Sequence, residues 1–433
     1  MMCKLGDLIS IKHGYPFDGE DIVEDDNGVV LVTPGNFRIG GGFQEDKCKY
    51  FKGDYPDEYV LPEGALIVTM TDLSKQCDTL GYSAIIPKSN KIYLHNQRIG
   101  LVDIKSNLVS KDYLHWFMRT DYYQKKIALT SSGSNVHHTS PDRIYDVDIE
   151  LPTIEVQSKI TNTLSSLEYK IMLNNSICSD LESMAKLLYD YWFMQFDFPD
   201  ENGRPYKSSG GKMVWNDELK REIPEGWNAK MIGDTDIYVS DYTANGSFKG
   251  LADNVKYNEG IPYAMLIRIV DFNNNFENVN NHIWIDKHGY DYLAKSNLHG
   301  DEIIICNVGA AGNVYRCPRF NHPMTLGPNG IVVNHEYLNN YLDLYFSSSI
   351  GQNQLHAISS GSIQLKFNKT NFRELYIPVP RKEIIDSFYM IYNPIFEKKC
   401  SVLKENQELA SLRDFLLPML MNGQIKIEDV KAS

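Results

Sequence analysis

The sequence contains no run of about eighteen apolar residues, so no segment of it reads as a membrane span. Its start, MMCKLGDLISIKHGYPF, lacks the long apolar core and small-residue cleavage site of a signal peptide and is not read as one. Paired cysteines are missing too. The seven cysteines, Cys3, Cys48, Cys77, Cys178, Cys306, Cys317 and Cys400, are scattered without a C-x-x-C pair. Free thiols and a cytoplasmic location are the expectation, with no metal site. Positive charge is scarce: 43 Lys and Arg against 56 Asp and Glu leave a net charge of −13. That argues against a generic nucleic-acid coat protein, whose phosphate contacts need Lys and Arg, but leaves room for local basic loops. What the chain does have is 42% hydrophobic and 12% aromatic residues over 433 positions, enough for a folded protein of two or three domains.

A catalytic constellation is equally hard to find. NPIF at 393–396 has the outline of the Asn-Pro-Pro-aromatic motif of adenine methyltransferases. Its third position is Ile, however, it falls in a helical repeat, and no glycine-rich cofactor loop precedes it. GAAGNV at 309–314 lacks the lysine and spacing of a phosphate loop and reads as a turn. His137-His138 has no second ligand cluster at a sensible spacing. PDE at 199–201 with Lys207 mimics a nuclease pattern, yet it lies between domains and not on strands. The chain is therefore expected to perform no bond chemistry by itself.

The strongest signal is an internal duplication. SSGS occurs at 131–134 and again at 359–362, an offset of 359 − 131 = 228. DYL at 112–114 and NYL at 340–342 keep that offset, as do IELP at 149–152 and IPVP at 377–380. So do LESMAKLLYDYWF at 181–193 and LASLRDFLLPMLM at 409–421. Upstream and with gaps, GALIVTM matches GDEIIIC and LHNQRIGLV matches LGPNGIVVN. Each half reads as a variable α+β module, with short β-rich runs between Gly, Pro and Asn turns, followed by one long helix.

In the first helix, apolar residues at Ile160, Leu164, Leu167, Ile171, Cys178, Leu181, Ala185, Leu188 and Trp192 alternate steps of four and three, with Asn174 at the missing seam position. The second gives Phe388, Ile391, Ile395, Val402, Leu409, Leu412, Leu416 and Met419, interrupted by Lys398 and Glu405. Pro394 and Pro418 are expected to disturb it, since proline lacks an N–H and crowds the preceding turn. A narrow seam implies that the two helices pack on each other, most simply antiparallel. The aromatics Tyr189, Tyr191, Trp192, Phe193 and Phe196 end the first helix; ordinary packing explains most of them, and an exposed surplus marks a subunit interface. A polar, turn-rich stretch follows and reads as a loose linker.

The loops after SSGS carry hydroxyls, amides, imidazoles and bases suited to base edges and phosphates. Candidate DNA contacts are Ser132, Ser134, Asn135, His137 and His138 in the first half and Ser360, Ser362, Gln364, Lys366 and Asn368 in the second. Further phosphate or guanine contacts are expected at Arg38, Lys75, Arg98, Lys249, Arg268 and Arg316. A solvated loop with capping serines explains any one of these residues equally well. The functional reading rests on a frame kept in both halves while the side chains after it change.

The segment LSSLEYKIMLNNSICSDLESMAKLLYDYWFMQFDFPDENGRPYKSSGGKMVWNDELKREIPEGW, 164–227, resembles the central conserved region of specificity subunits of type I restriction-modification systems. The duplicated plan is similar as well. The resemblance implies two target-recognition domains, 1–152 and 228–380, and two conserved helices, 153–195 and 381–422, with a linker at 196–227 and a tail at 423–433. The helices would form an antiparallel coiled coil in a pseudo-twofold internal repeat. It further implies recognition of a bipartite, asymmetric double-stranded DNA target and two methyltransferase (modification) subunits and motor-nuclease (restriction) subunits as partners. S-adenosylmethionine, ATP and Mg would be held by those partners and none by this chain. A protein-protein scaffold that does not bind DNA, or the specificity subunit of a modification-only or other phage-defence system, stays open at this point.

Overall fold

The computed structural model describes residues 1–425 except 46, 73–78, 134–135 and 362–363. Lys75, Ser134, Asn135 and Ser362 thus lie outside the described residues. The chain forms two compact units, Met1–Glu168 with the chain from Leu412 onward, and Tyr169–Ser411. The expected boundaries set the helices apart as segments of their own; the compact units instead divide each long helix.

In the first unit, β-branched runs such as VVLV and LIVT are buried and form strands. One antiparallel sheet has the order Ile9–His13, Ile99–Ile104, Leu66–Thr69, Ser83–Ile85. A second sheet centres on Val29–Val32 and Ile92–His95, which are parallel. Met2–Lys4 pairs with Asp148–Glu150 and closes the module where the first long helix begins. The second unit repeats this plan. Tyr238–Asp241, Gly330–Asn334, Ile303–Cys306 and Val314–Arg316 form the antiparallel sheet. Ala264–Ile267 and Met324–Leu326 are its parallel pair, and Asn228–Met231 closes on Tyr376–Val379. The duplication is one of α+β topology as well as of sequence.

The long helices are Ile154–Tyr189, continued by a π-turn at Asp190–Met194, and Lys382–Met421. The second runs unbroken through Pro394 and Pro418, contrary to expectation. Both prolines face solvent, where water can satisfy the carbonyls they leave free. Its seam follows the expected one at Phe388, Val402 and Leu416 and departs from it elsewhere. The buried stripe runs through Phe388, Tyr392, Phe396, Cys400, Leu403, Asn406 and Ala410, whereas Ile391 and Leu412 stay exposed at 48% and 45%. Lys398 is exposed and does not interrupt it, while Glu405 flanks it and accepts from Asn174.

Within the second unit the helices pair antiparallel. Trp192 packs on Phe388 at 5.6 Å between ring centroids, Cys178 clusters with Val402 and Leu403, and Asn174 donates to Asn406 Oδ1 at 2.9 Å. Asn174 also donates to Glu405 at 2.9 Å, and Asn406 donates to Asn175 Oδ1 at 3.0 Å. The Asn174 and Asn406 side-chain amide nitrogens both find acceptors, which is what makes the layer tolerable in an apolar seam. Within the first unit, Ile160 and Leu164 share one core with Leu416 and Leu420.

The segment 196–227 is not a loose linker. Phe198 stacks on Tyr206 at 4.8 Å and on Trp227 at 5.8 Å, and Met213–Asn216 and Arg221–Pro224 form a hairpin. Its polar residues lock turns, as when Asp197 accepts from the Ser208 amide at 2.8 Å and hydroxyl at 2.6 Å.

An ion pair fastens the first module to its helix. Arg119, stacked on Trp116 at 4.2 Å, donates to Glu168 at 2.8 Å and to the Gly40 carbonyl at 2.7 Å. Burial pushes the Glu168 carboxyl up, but Arg119 outweighs it and holds the group at about 2. Burial, and then Arg119, lowers His115 to about 3, so that ring is neutral in the fold. Both groups bind protons more weakly folded than unfolded, so both contributions are complete above pH 6.5. The His115 contribution fades below 6.5 and the Glu168 contribution below 4.5. Melting temperature is expected to fall steadily from pH 6.5 to 3, and E168Q to be less stable at pH 7 with a flatter acid limb. The loss at pH 7 should be about 2 kcal/mol, under the ~3–5 of a fully buried pair, because Glu168 keeps 31% side-chain exposure.

Asn174→Leu leaves Asn406 Oδ1 without its donor and should cost about 1–3 kcal/mol. The double variant N174L/N406L should recover part of that loss in denaturant unfolding, and a second substitution that simply added its own cost would exclude the pairing.

Candidate nucleic-acid interface

At one end of each antiparallel sheet, backbone hydrogen bonds tie three loops into a ladder. In the first unit, Met70 N donates to Arg98 O at 2.9 Å and Thr139 N donates to Met70 O at 3.0 Å. Thr71–Asp72 pairs with His137–His138, and Ser132 and His138 exchange two amide bonds at 3.0 and 2.9 Å. In the second unit, Asn307 N donates to Asn329 O and Phe367 N to Asn307 O, both at 3.1 Å. Val308–Gly309 pairs with Leu365–Lys366, and Ser360 and Lys366 exchange two bonds at 2.9 Å. The rungs correspond one to one.

The repeated SSGS now has a physical reason. Gly133 has φ +104 and Gly361 φ +117, a region L side chains avoid. A Cβ on either would stand 1.9 Å from the Val136 carbonyl oxygen or 2.3 Å from that of Gln364. Only glycine lets the chain turn back this tightly. The serine at the second position of the motif then supplies the rung.

What the rungs present differs between the halves. The first offers Arg98, His137 and His138 above a buried Thr71; the second offers Asn329, Val308, Leu365 and Lys366. His138 is exposed, with Nδ1 3.1 Å from Thr71 Oγ1. His137 is half-buried, and neither ring nitrogen has a partner among the described residues. Arg98, Ser132, Ser360, Gln364 and Lys366 are exposed. Asp72 is buried and accepts from the amides of Thr79 and Leu80 at 2.6 and 3.1 Å. The ladders are thus locally neutral to basic in a chain of net charge −13.

Other candidates are placed elsewhere. Arg316 is buried: it pairs with Asp301, donates to Asn340 Oδ1 at 2.8 Å and lies over Phe396 at 4.8 Å, so it is a packing residue rather than a surface contact. Arg268 is held by Asp271 at 2.8 Å and by the Asn281 carbonyl at 2.7 Å. Asn368 caps the helix Lys369–Arg373 by accepting from Asn371 N at 2.9 Å. Arg38 and Lys249 are exposed but lie on segments outside the ladders. Of the five aromatics expected at an interface, Tyr189, Trp192, Phe193 and Phe196 are buried in the core of the second unit, and only Tyr191 is exposed, at 41%. Those four rings fill space around a helix end and leave no face for a partner.

Sequence reasoning passed over Asn307 and Asn329, and Tyr15, which brackets the first ladder through Gln97 N to Tyr15 O at 3.0 Å. The match of LHNQRIGLV with LGPNGIVVN already set the two outer turns side by side. Among the described residues no group of three or more His, Cys, Asp or Glu could hold a metal, and no helix is long and apolar enough to cross a membrane.

Known proteins resemble this chain in sequence and in overall fold. Residues 1–183 match the model of the type I restriction modification DNA specificity domain. The HindI specificity subunit of Haemophilus influenzae is 25% identical over 383 residues, 77% of this chain and 81% of its own. The MjaIX specificity subunit of Methanocaldococcus jannaschii is 24% identical over 389 residues, 86% of this chain and 80% of its own. Residues 1–183 thus resemble a type I restriction modification DNA specificity domain, and most of the chain is similar to type I specificity subunits. A crystal structure of a type I system S subunit from M. genitalium shares the fold, with a TM-score of 0.52 at 14% identity over 97% of this chain and 96% of that one. The doubled ladder is the feature that the two halves of this chain share in frame and not in side chains.

Gly361→Ala should force the second loop open. Loss of exchange protection at the Lys366 amide, with the amides of Ile303–Cys306 unchanged, is the expected hydrogen-exchange result. Retained protection would mean that the turn does not need glycine.

Proposed function

We propose that this chain is the address subunit of a type I restriction-modification complex and is not itself a catalyst. Each module reads one half of a bipartite, asymmetric DNA target. The carrying observation is the ladder: one backbone frame, built twice, with unlike exposed side chains. Phosphate contacts position a protein and base contacts specify it; Arg98 and His138 on one frame, and Gln364 and Lys366 on the other, offer different donors and acceptors to base edges.

Two methyltransferase subunits, which hold S-adenosylmethionine, and motor-nuclease subunits using ATP and Mg complete the assembly in the cytoplasm. Tyr191 remains the candidate partner contact among the aromatics. A net charge of −13 fits a chain whose partners supply much of the phosphate clamp.

Exchanging residues 1–150 for the same module of a relative is expected to change one half of the methylated motif and leave the other half and the spacer untouched, as read by mapping methylated adenines. Both halves changing together, or methylation by the purified chain without partners, would sink this reading.

A further inference from the structure

The two loops share a frame but are pinned by unrelated side chains. In the first unit, Arg143 on the short helix Pro141–Tyr145 donates from Nη1 to the His138 carbonyl at 3.1 Å and to the Ser132 hydroxyl at 3.4 Å. One guanidinium thus grips both ends of the rung that closes the loop. The repeat offset sets Asn371 opposite Arg143, and the Asn371 backbone N–H donates to the Asn368 Oδ1 cap at 2.9 Å. The second loop is pinned from the other side. Asn307 Nδ2 donates to the Phe367 carbonyl at 3.2 Å, besides the backbone bonds Asn307 makes to Asn329 and Phe367. Met70, at the matching rung of the first unit, has no side-chain donor. Arg143 and Asn307 are both half-buried, whereas Ser132, His138, Gln364 and Lys366 are exposed.

We propose that Arg143 and Asn307 are positioning residues for sequence reading, one for each half-site, acting through the loops rather than on the bases. This rests on the address-subunit reading. The physical ground is that discrimination between bases needs donors and acceptors held in place. The pairing beneath each loop is only two residues long on each strand, too short to hold its own geometry. An unpinned loop still meets phosphates but no longer presents fixed donors and acceptors. Because the pins are unrelated, each can be removed without touching the other half.

The test uses the chain assembled with its modification subunits and a DNA library varied in both half-sites, with methylation read by sequencing. Asn307→Asp keeps the shape and loses the donor; Asn307→Ala loses it without adding charge. Both are expected to lower discrimination in the second half-site about tenfold, the scale of one lost hydrogen bond at a base-reading site, with the first half unchanged. Arg143→Gln should give the mirror result. It should also leave the slope of log affinity against log salt as in the parent, whereas a direct phosphate contact would lower it by about one. Discrimination within twofold of the parent in both Asn307 variants, both halves relaxing together, or a reduced slope for Arg143→Gln overturns the proposal. The variant Q364A/K366A separates the two levels. If it alters the second half-site while the Asn307 variants do not, the positioning role falls and the address reading stands. If none of these variants alters specificity, the loops are not the readers and both fall.

Discussion

A seam of side chains between two antiparallel helices is the constraint on which the rest depends. Neither module closes its core alone. Leu416 and Leu420, near the end of the second helix, complete the core that contains Ile160, Leu164, Trp116 and Tyr113. Trp192 and Phe193, at the end of the first, belong to the core that contains Phe388 and Tyr341. Each buried side chain of this size contributes roughly 1.5–3 kcal/mol, so the helices are part of what makes each unit fold. The Asn174–Asn406 layer adds direction. Two apolar seams can slide by a turn, but a buried amide pair has one register in which its donors are satisfied.

On this base the modules separate frame from content. The sheets are closed by runs of Val, Ile and Leu, and the turns at Gly133 and Gly361 are fixed by backbone sterics. The ladders consist mainly of amide-to-carbonyl bonds, which any residue but proline can make. The exposed side chains on them therefore carry little of the fold's stability. Arg98 can correspond to Asn329, and His138 to Lys366, with no change in the rungs beneath.

Much of this was legible in the sequence, and the failures have physical causes. The fixed offset displayed the doubled topology, and the 3–4 spacing located the first seam. In the second helix, Ile391 and Tyr392, and Ile395 and Phe396, are adjacent apolar pairs, so periodicity alone cannot choose between two stripes. Tertiary contacts decide: the Tyr392 hydroxyl reaches Asp343 at 2.9 Å and Phe396 lies under Arg316. The segment after Met194 looked loose because its residues favour turns, and Trp227, on which Phe196 and Phe198 pack to pin those turns, lies far from them in sequence. Arg316 looked like a surface cation because nothing local announces that Asp301 and Asn340 will surround it. The SSGS motif was visible as a repeat, but its reason, a carbonyl three residues on, appears only in three dimensions.

The first unit draws its core from two stretches far apart in the chain, and this bears on synthesis. A ribosome releases residues 1–168 long before it releases Leu416 and Leu420. During that interval the Ile160–Leu164 face has no cover, while the second unit, built from the contiguous stretch Tyr169–Ser411, can complete itself first. The domain begun first is finished last. A chain that stopped at Ser411 would emerge with an intact second half and an open first one, which exposes an apolar stripe for chaperones and proteases to recognise before it could enter a complex.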